Sequence, residues 1–280
     1  MASFGVTSIS PDGRWIARSV ANDPDEGAGR GVKLLNAESG ALVRELAGPD
    51  DRFSGLTFSP DSRRLLTWGT RPGTASLREV GATGLSRPLL RSLGVAIQHA
   101  ALSPDGKALL LGSRDGRARL WDVVRDVEIE AEAHPHHAYP ITAVAFDLRS
   151  PRVVTGCHAG TVRLWDRASG ALLCDVRGNT GEVAAIAFSP DGKTLLTASH
   201  DATARFWDVT SGRQLGPPLH HTDAVPCVAF HPDGLTVAIG TRDGRAWLWN
   251  VPAAPMRGDL GRIVRDVEEQ TSVLTQKFGS

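Results

Sequence analysis

Residues Ser189–Asp208 read SPDGKTLLTASHDATARFWD, and this stretch decides the fold. It opens with a Pro-Asp-Gly turn, in which Asp can bond its own backbone and Gly can take the positive φ a tight reversal needs. The run TLLTAS follows, then a second Asp-centred turn, then TARFWD. Short aliphatic and β-branched runs between such turns read as antiparallel strands. Upstream, VAAIAF (183–188) supplies another strand, and downstream a Ser-Gly turn leads into GRQLGPPL (212–219). The unit is a four-stranded meander, too small to cover its own apolar faces.

The same plan recurs along the chain. SPDG stands at Ser10–Gly13 and Ser103–Gly106, SPDS at Ser59–Ser62 and HPDG at His231–Gly234. The closing motif recurs as RLWD, RLWD, RFWD and WLWN, placing Trp121, Trp165, Trp207 and Trp249 at intervals of 44, 42 and 42 residues. Carrying the register backwards puts Arg78 and Leu35 at the tryptophan place of two earlier copies. The fourth copy has no SPDG, but AFDLRSPRVVTG (145–156) matches AFSPDGKTLLTA (187–198) in length. Six repeats follow, at about 5–48, 49–92, 93–135, 136–178, 179–220 and 221–258.

A period near 43 residues, four strands per unit and a terminal Trp-Asp pair resemble the WD-repeat family, whose copies are the blades of a propeller. The resemblance covers roughly residues 5–255 and implies an all-β propeller of six four-stranded antiparallel blades. The ring either closes with six or is an incomplete seven; in the latter case an unpaired edge invites association. Residues 259–280 fall outside the repeat; Ile263, Val267 and Leu274 recur at helical spacing, which predicts a short amphipathic C-terminal helix. The PAAP, GD and RIV segments of this ending are similar to bacterial WD-repeat proteins associated with Ser/Thr protein kinases. The chain itself carries no Gly-rich phosphate loop, VAIK, HRD or DFG.

In the family, a histidine before the first strand, a hydroxyl closing the second, an aspartate in the next turn and the tryptophan form a hydrogen-bonded tetrad. By that pattern only the sixth copy is complete, with His221, Thr241, Asp243 and Trp249. The fifth offers Asn179, Ser199, Asp201 and Trp207. The third keeps Ser113, Asp115 and Trp121, with Leu93 in the histidine place. The fourth has His137 and Trp165 but Cys157 and Ala159. These residues are expected to brace blades rather than catalyse, although His, hydroxyl and carboxylate together mimic a hydrolase triad. The first two copies lack the tryptophan as well, so opening is expected to start there.

Lys plus Arg and Asp plus Glu are each 31, so the formal charge is zero, and bulk electrostatics does not favour nucleic acid. No run approaches the length of a membrane span. The amino terminus has neither a basic nor an apolar signal region, so a cytoplasmic location is expected. Cys157, Cys174 and Cys227 are an odd number without close spacing and read as small apolar residues.

With strand residues committed to packing, function falls to loops. The resemblance implies a narrow face, formed by the loops entering the first strands and the turns between second and third strands, that binds protein partners. One turn position forms a column there: Arg71, Arg114, His158, His200 and Arg242. Two readings stand open: a dock for an acidic or phosphorylated peptide, or a solvent-exposed position that is polar by default. The loop AHPHHAYP (133–140) groups His134, His136, His137 and Tyr139 at the same face. Its spacing does not converge three ligands, so neither metal nor cofactor is expected. ANDPDEGAGRG (21–31) is an acidic insertion, either a contact loop or disordered. The expected function is a non-catalytic scaffold for a protein or peptide partner. The alternatives are a metal-dependent enzyme using the channel, and nucleic-acid backbone binding through the column.

Overall fold

A computed structural model describes residues 6–20, 31–47, 53–69, 73–80, 87–90, 94–129 and 135–252. Within them the regular structure is all strand, in six antiparallel sheets that follow one another along the chain. Sheet one holds β1 (Thr7–Ile9), β2 (Trp15–Val20), β3 (Gly31–Asn36) and β4 (Leu42–Ala47). Sheet two holds β5 (Phe53–Phe58), β6 (Arg64–Gly69), β7 (Ala75–Glu79) and β8 (Arg87–Leu90). Sheet three holds β9 (Ile97–Leu102), β10 (Ala108–Ser113), β11 (Ala118–Asp122) and β12 (Val127–Glu128). Sheet four holds β13 (Ile141–Phe146), β14 (Arg152–Cys157), β15 (Val162–Asp166) and β16 (Leu172–Val176). Sheet five holds β17 (Val183–Phe188), β18 (Thr194–Ser199), β19 (Thr203–Asp208) and β20 (Gln214–His220). Sheet six holds β21 (Cys227–Phe230), β22 (Thr236–Gly240) and β23 (Ala246–Asn250).

The first turn of each sheet is built by its own side chains. Ser103 Oγ donates to Asp105 at 2.5 Å and accepts the Ala108 N–H, while Asp105 accepts from Lys107. The same three bonds recur at Ser10, Ser59 and Ser189. Gly106 and Gly192 supply the left-handed corner, and in the SPDS copy Ser62 adopts it at φ 59°. The Ser62 hydroxyl accepts the Asp12 N–H of the previous sheet, a bond glycine could not make. Where the fourth copy lost SPDG, Asp147 takes over, held by Arg152 at 2.6 Å.

Register confirms the degenerate copies. Ile16 faces Leu35 and Leu65 faces Arg78 as Leu195 faces Trp207, so Leu35 and Arg78 occupy the tryptophan place.

Each sheet presents two faces, because strand side chains alternate. On the trailing face of sheet five lie Leu196, Ala198, Ala204 and Phe206; they pack on Val237 and Ile239 of the leading face of sheet six. Four further clusters of the same kind join sheets one to two, two to three, three to four and four to five. The first strands β1, β5, β9, β13, β17 and β21 touch in that order. No comparable contact joins the sixth sheet to the first among the described residues.

The two ends of the sheet series differ from its middle. The sixth sheet has three strands among the described residues, the place of its expected fourth strand falling after Pro252 and outside them, and no hydrogen-bonded pairing among the described residues closes the ring. The C-terminal helix over 259–280, Arg71, Leu93, His134 and the 21–30 insertion lie outside the described residues. No described helix is long and apolar enough to cross a membrane.

The junctions also set where side chains are forbidden. A Cβ added to Gly156 of β14 would lie 2.6 Å from Val183 Cγ1 of the next sheet, whereas at Gly240, the same position in sheet six, it meets only Cys227 Sγ of its own sheet. Gly156→Val is therefore expected to destabilise by about 1–3 kcal/mol through overpacking, and Gly240→Val by clearly less, in chemical denaturation.

Candidate functional site

The column of turn residues is placed by one repeated backbone bond. The N–H groups of Arg114, His158, His200 and Arg242 donate to the carbonyls of Ala96, Pro140, Glu182 and Ala224 at 2.9–3.0 Å. Each of these carbonyls lies just ahead of the first strand of its sheet or in the loop entering it, so four side chains share one end of the sheets, all exposed.

Their charges are not equivalent. Glu182, half-buried between sheets four and five, accepts from His158 Nδ1 at 2.9 Å and lies 3.6 Å from His200 Nδ1. The repeat pattern does not single out this carboxylate, since its position is filled by Ala96, Pro140 and Ala224 elsewhere. Among the described residues no carboxylate takes that place beside the Arg114 or Arg242 side chain. In the neighbouring loop, Tyr139 is 54% exposed, and His136 lies beside Trp165 with ring centroids 6.5 Å apart. Arg163 donates to the His136 carbonyl at 2.7 Å, which ties that loop to sheet four. Among the described residues no three His, Cys, Asp or Glu side chains are grouped to hold a metal.

Behind this face lies the polar network, and its hydroxyl differs from the one expected. Trp207 Nε1 donates to Thr197 Oγ1 at 2.9 Å, and Thr197 in turn donates to Asn179 Oδ1. In sheet four Trp165 donates to Thr155 at 2.8 Å, which lies 2.7 Å from His137 Nε2. The bonded hydroxyls are thus Thr197 and Thr155, two residues before Ser199 and Cys157. Both members of each pair point to the same face of the strand, so alternation does not distinguish them; the indole reaches only the nearer one. The outer hydroxyls brace turns instead: Ser199 accepts the Asp201 N–H, Ser113 accepts from Arg119, and Thr241 donates to Asp243. Asp201 accepts from Thr180 and Thr203, and Asp115 pairs with Arg119 at 2.7 Å, so the aspartates hold the turns as well.

Sheet six changes most under this correction. Its residue at the Thr197 position is Ile239, and both His221 Nε2 and Trp249 Nε1 are buried without a hydrogen-bond partner. In sheet three the same position is Leu111, and Trp121 Nε1 turns to Asp126 at 3.3 Å. Burial, with the Arg163 charge beside it, pushes His137 down to about 4, and burial lowers His221. Both rings are neutral struts at pH 7.

The model of the WD domain, G-beta repeat matches residues 90–122, 131–166, 170–208 and 213–250, a little over half of the chain. The chain belongs to the WD-repeat family. The WD40 repeat protein poxJ of Penicillium oxalicum is 32% identical over 125 residues, 42% of this chain and 35% of that protein. Protein Rae1 of Drosophila melanogaster is 28% identical over 127 residues, 43% of this chain and 36% of its own length. Small ribosomal subunit protein RACK1y of Oryza sativa subsp. japonica is 34% identical over 87 residues, 29% of this chain and 26% of its own. The matched region thus spans about a quarter to a third of these relatives. In this WD-repeat chain the tetrad hydroxyls and tryptophans are buried or half-buried, whereas Asp115 and Asp243 reach solvent in the turns beside the column and the loop around Tyr139.

Two expectations test the network. Thr197→Ile orphans Trp207 and Asn179 and should cost about 2–4 kcal/mol, whereas Ile239→Thr, which gives His221 and Trp249 a hydroxyl, should stay within about 1 kcal/mol of the parent in denaturant titrations. His137 binds its proton near 4 when folded and near 6.5 when unfolded. The unfolded chain therefore takes up that proton first, and stability falls as pH drops from 6.5 towards 4. His137→Asn, the residue found at 179, should keep the bond to Thr155 and lessen that loss by on the order of 1–3 kcal/mol.

Proposed function

We propose that this chain is a non-catalytic scaffold that docks an acidic or phosphorylated segment of a protein partner on the face carrying Arg114, His158, His200 and Arg242, with His136 and Tyr139 at its margin. The observation that carries the reading is the shared backbone bond, which sets four cationic or titratable side chains at one end of four successive sheets. Guanidinium groups pair carboxylate or phosphate in two-point geometry, and an exposed tyrosine adds amphipathic contact area at low entropic cost. Family membership supports the scaffold role, and the rice relative is by its name a component of the small ribosomal subunit. We further infer a place in bacterial signalling in the cytoplasm. The motifs after the last repeat support it, together with a WD repeat-containing relative in Synechocystis that is 27% identical over 111 residues. On this reading Arg71, at the same phase of its repeat, joins the column.

The test uses phosphorylated and unphosphorylated acidic peptide arrays on the full chain, at two salt concentrations. Replacing Arg114, His158, His200 and Arg242 together by Ser should abolish capture while leaving the melting curve almost unmoved, because all four are exposed. Glu182→Gln, which removes the competitor for both histidines, should tighten binding by roughly 2- to 5-fold. Undiminished capture by the four-fold variant overturns the proposal. A steep fall of affinity with salt for single-stranded nucleic acid, with none for peptide, replaces it with backbone binding.

A further inference from the structure

The five internal junctions define a rule that the two ends of the sheet series leave unfulfilled. At each junction a trailing face meets the leading face of the next sheet, and the participating side chains are sealed: Leu34, Leu66, Leu110, Leu164, Leu196 and Phe206 are all at most 4% exposed. On sheet six the corresponding trailing row is Ala229, Ala238 and Leu248, one residue from each strand, paired directly across the sheet. Leu248 occupies the place of Phe206, yet it is 69% exposed against 1% for Phe206. Cys227 on the same face is exposed, and a Cβ added at Gly240 would meet no atom of another sheet within 4 Å. At the other end, the leading row of sheet one is Ile9, Ile16 and Leu35, aligned as Phe188, Leu195 and Trp207 are in sheet five. Ile9 is 63% exposed. Lys33 stands where Arg119, Arg163 and Arg205 stand on the leading faces of sheets three to five, so a cation at that place belongs to the ordinary junction.

We propose that a second copy of this chain covers these faces: the trailing face of sheet six docks on the leading face of sheet one of the next copy, head to tail. The occupant follows from the junction rule. One chain carries both halves of a junction, in the order in which five such junctions already pair, and among the described residues its own two halves make no contact comparable to those five. The contact is heterologous, so association continues beyond a dimer unless one face is blocked.

Sedimentation of the full chain over a wide concentration range tests this, with Leu248→Asp and Ile9→Asp as blocked forms. Both side chains are exposed, and unchanged melting of each variant establishes that it folds. The parent should rise in mean mass past that of two chains. Each variant alone should stay monomeric, and an equal mixture of the two should give a one-to-one dimer and nothing larger, because each retains the face the other has lost. Labelling of the Cys227 thiol should slow several-fold as the parent associates. A parent that stays monomeric throughout overturns the proposal. In that case slow Cys227 labelling at every concentration points to residues 253–280 as the cover, and fast labelling leaves the face to a sheet from another polypeptide. A mixture that stays monomeric also overturns it, whatever the parent does. The four-fold Ser variant of the turn column should associate like the parent.

Discussion

Every part of this molecule depends on the packing of one sheet's face against the next. A meander of three or four short strands has apolar residues on both sides and a core too thin to be stable alone. Five junctions, each a cluster of aliphatic and aromatic side chains from two successive sheets, supply that cover. Fully burying one such side chain is worth about 1.5–3 kcal/mol, so a junction outweighs any single polar contact in the structure. The same constraint places glycine or alanine at 112, 156 and 198, where the next sheet's first strand comes closest.

Set into this apolar stack, the polar network works by satisfaction rather than by strength. Thr155 and Thr197 each accept from an indole and bond a second side chain, so neither tryptophan N–H is stranded in sheets four and five. Sheet six keeps the histidine and the tryptophan but has Ile239 between them, and two polar atoms are orphaned. A stranded buried donor or acceptor costs about 1–3 kcal/mol, which weakens the last described sheet, whose trailing face meets no further sheet among the described residues. Weakness is therefore not confined to the amino-terminal copies.

Because the strands are consumed by packing, the chemistry available to a partner lies at the sheet ends. There the repeat delivers one side chain per sheet by the same backbone bond, an arrangement whose specificity is carried by residue choice alone. Glu182 shows how a neighbour in space alters that choice: it engages two of the four described column residues, leaving Arg114 and Arg242 outside its reach.

Read alone, the sequence determined the strand plan, the six copies and the register of even the degenerate ones, because turn chemistry and side-chain alternation are local and repeat at a fixed interval. Arg78 and Leu35 could be put in the tryptophan place with no tryptophan present. Ser113, Ser199 and Thr241 show where such reasoning stops: a hydroxyl two residues away points to the same side of the strand, and only the cross-strand reach of the indole picks Thr197 over Ser199. Glu182 between His158 and His200, the orphaned pair in sheet six and the uncovered Leu248 likewise belong to tertiary structure alone. Each depends on which residues from different repeats become neighbours, and a periodic sequence carries the same signal whether or not another sheet stands beside the last one.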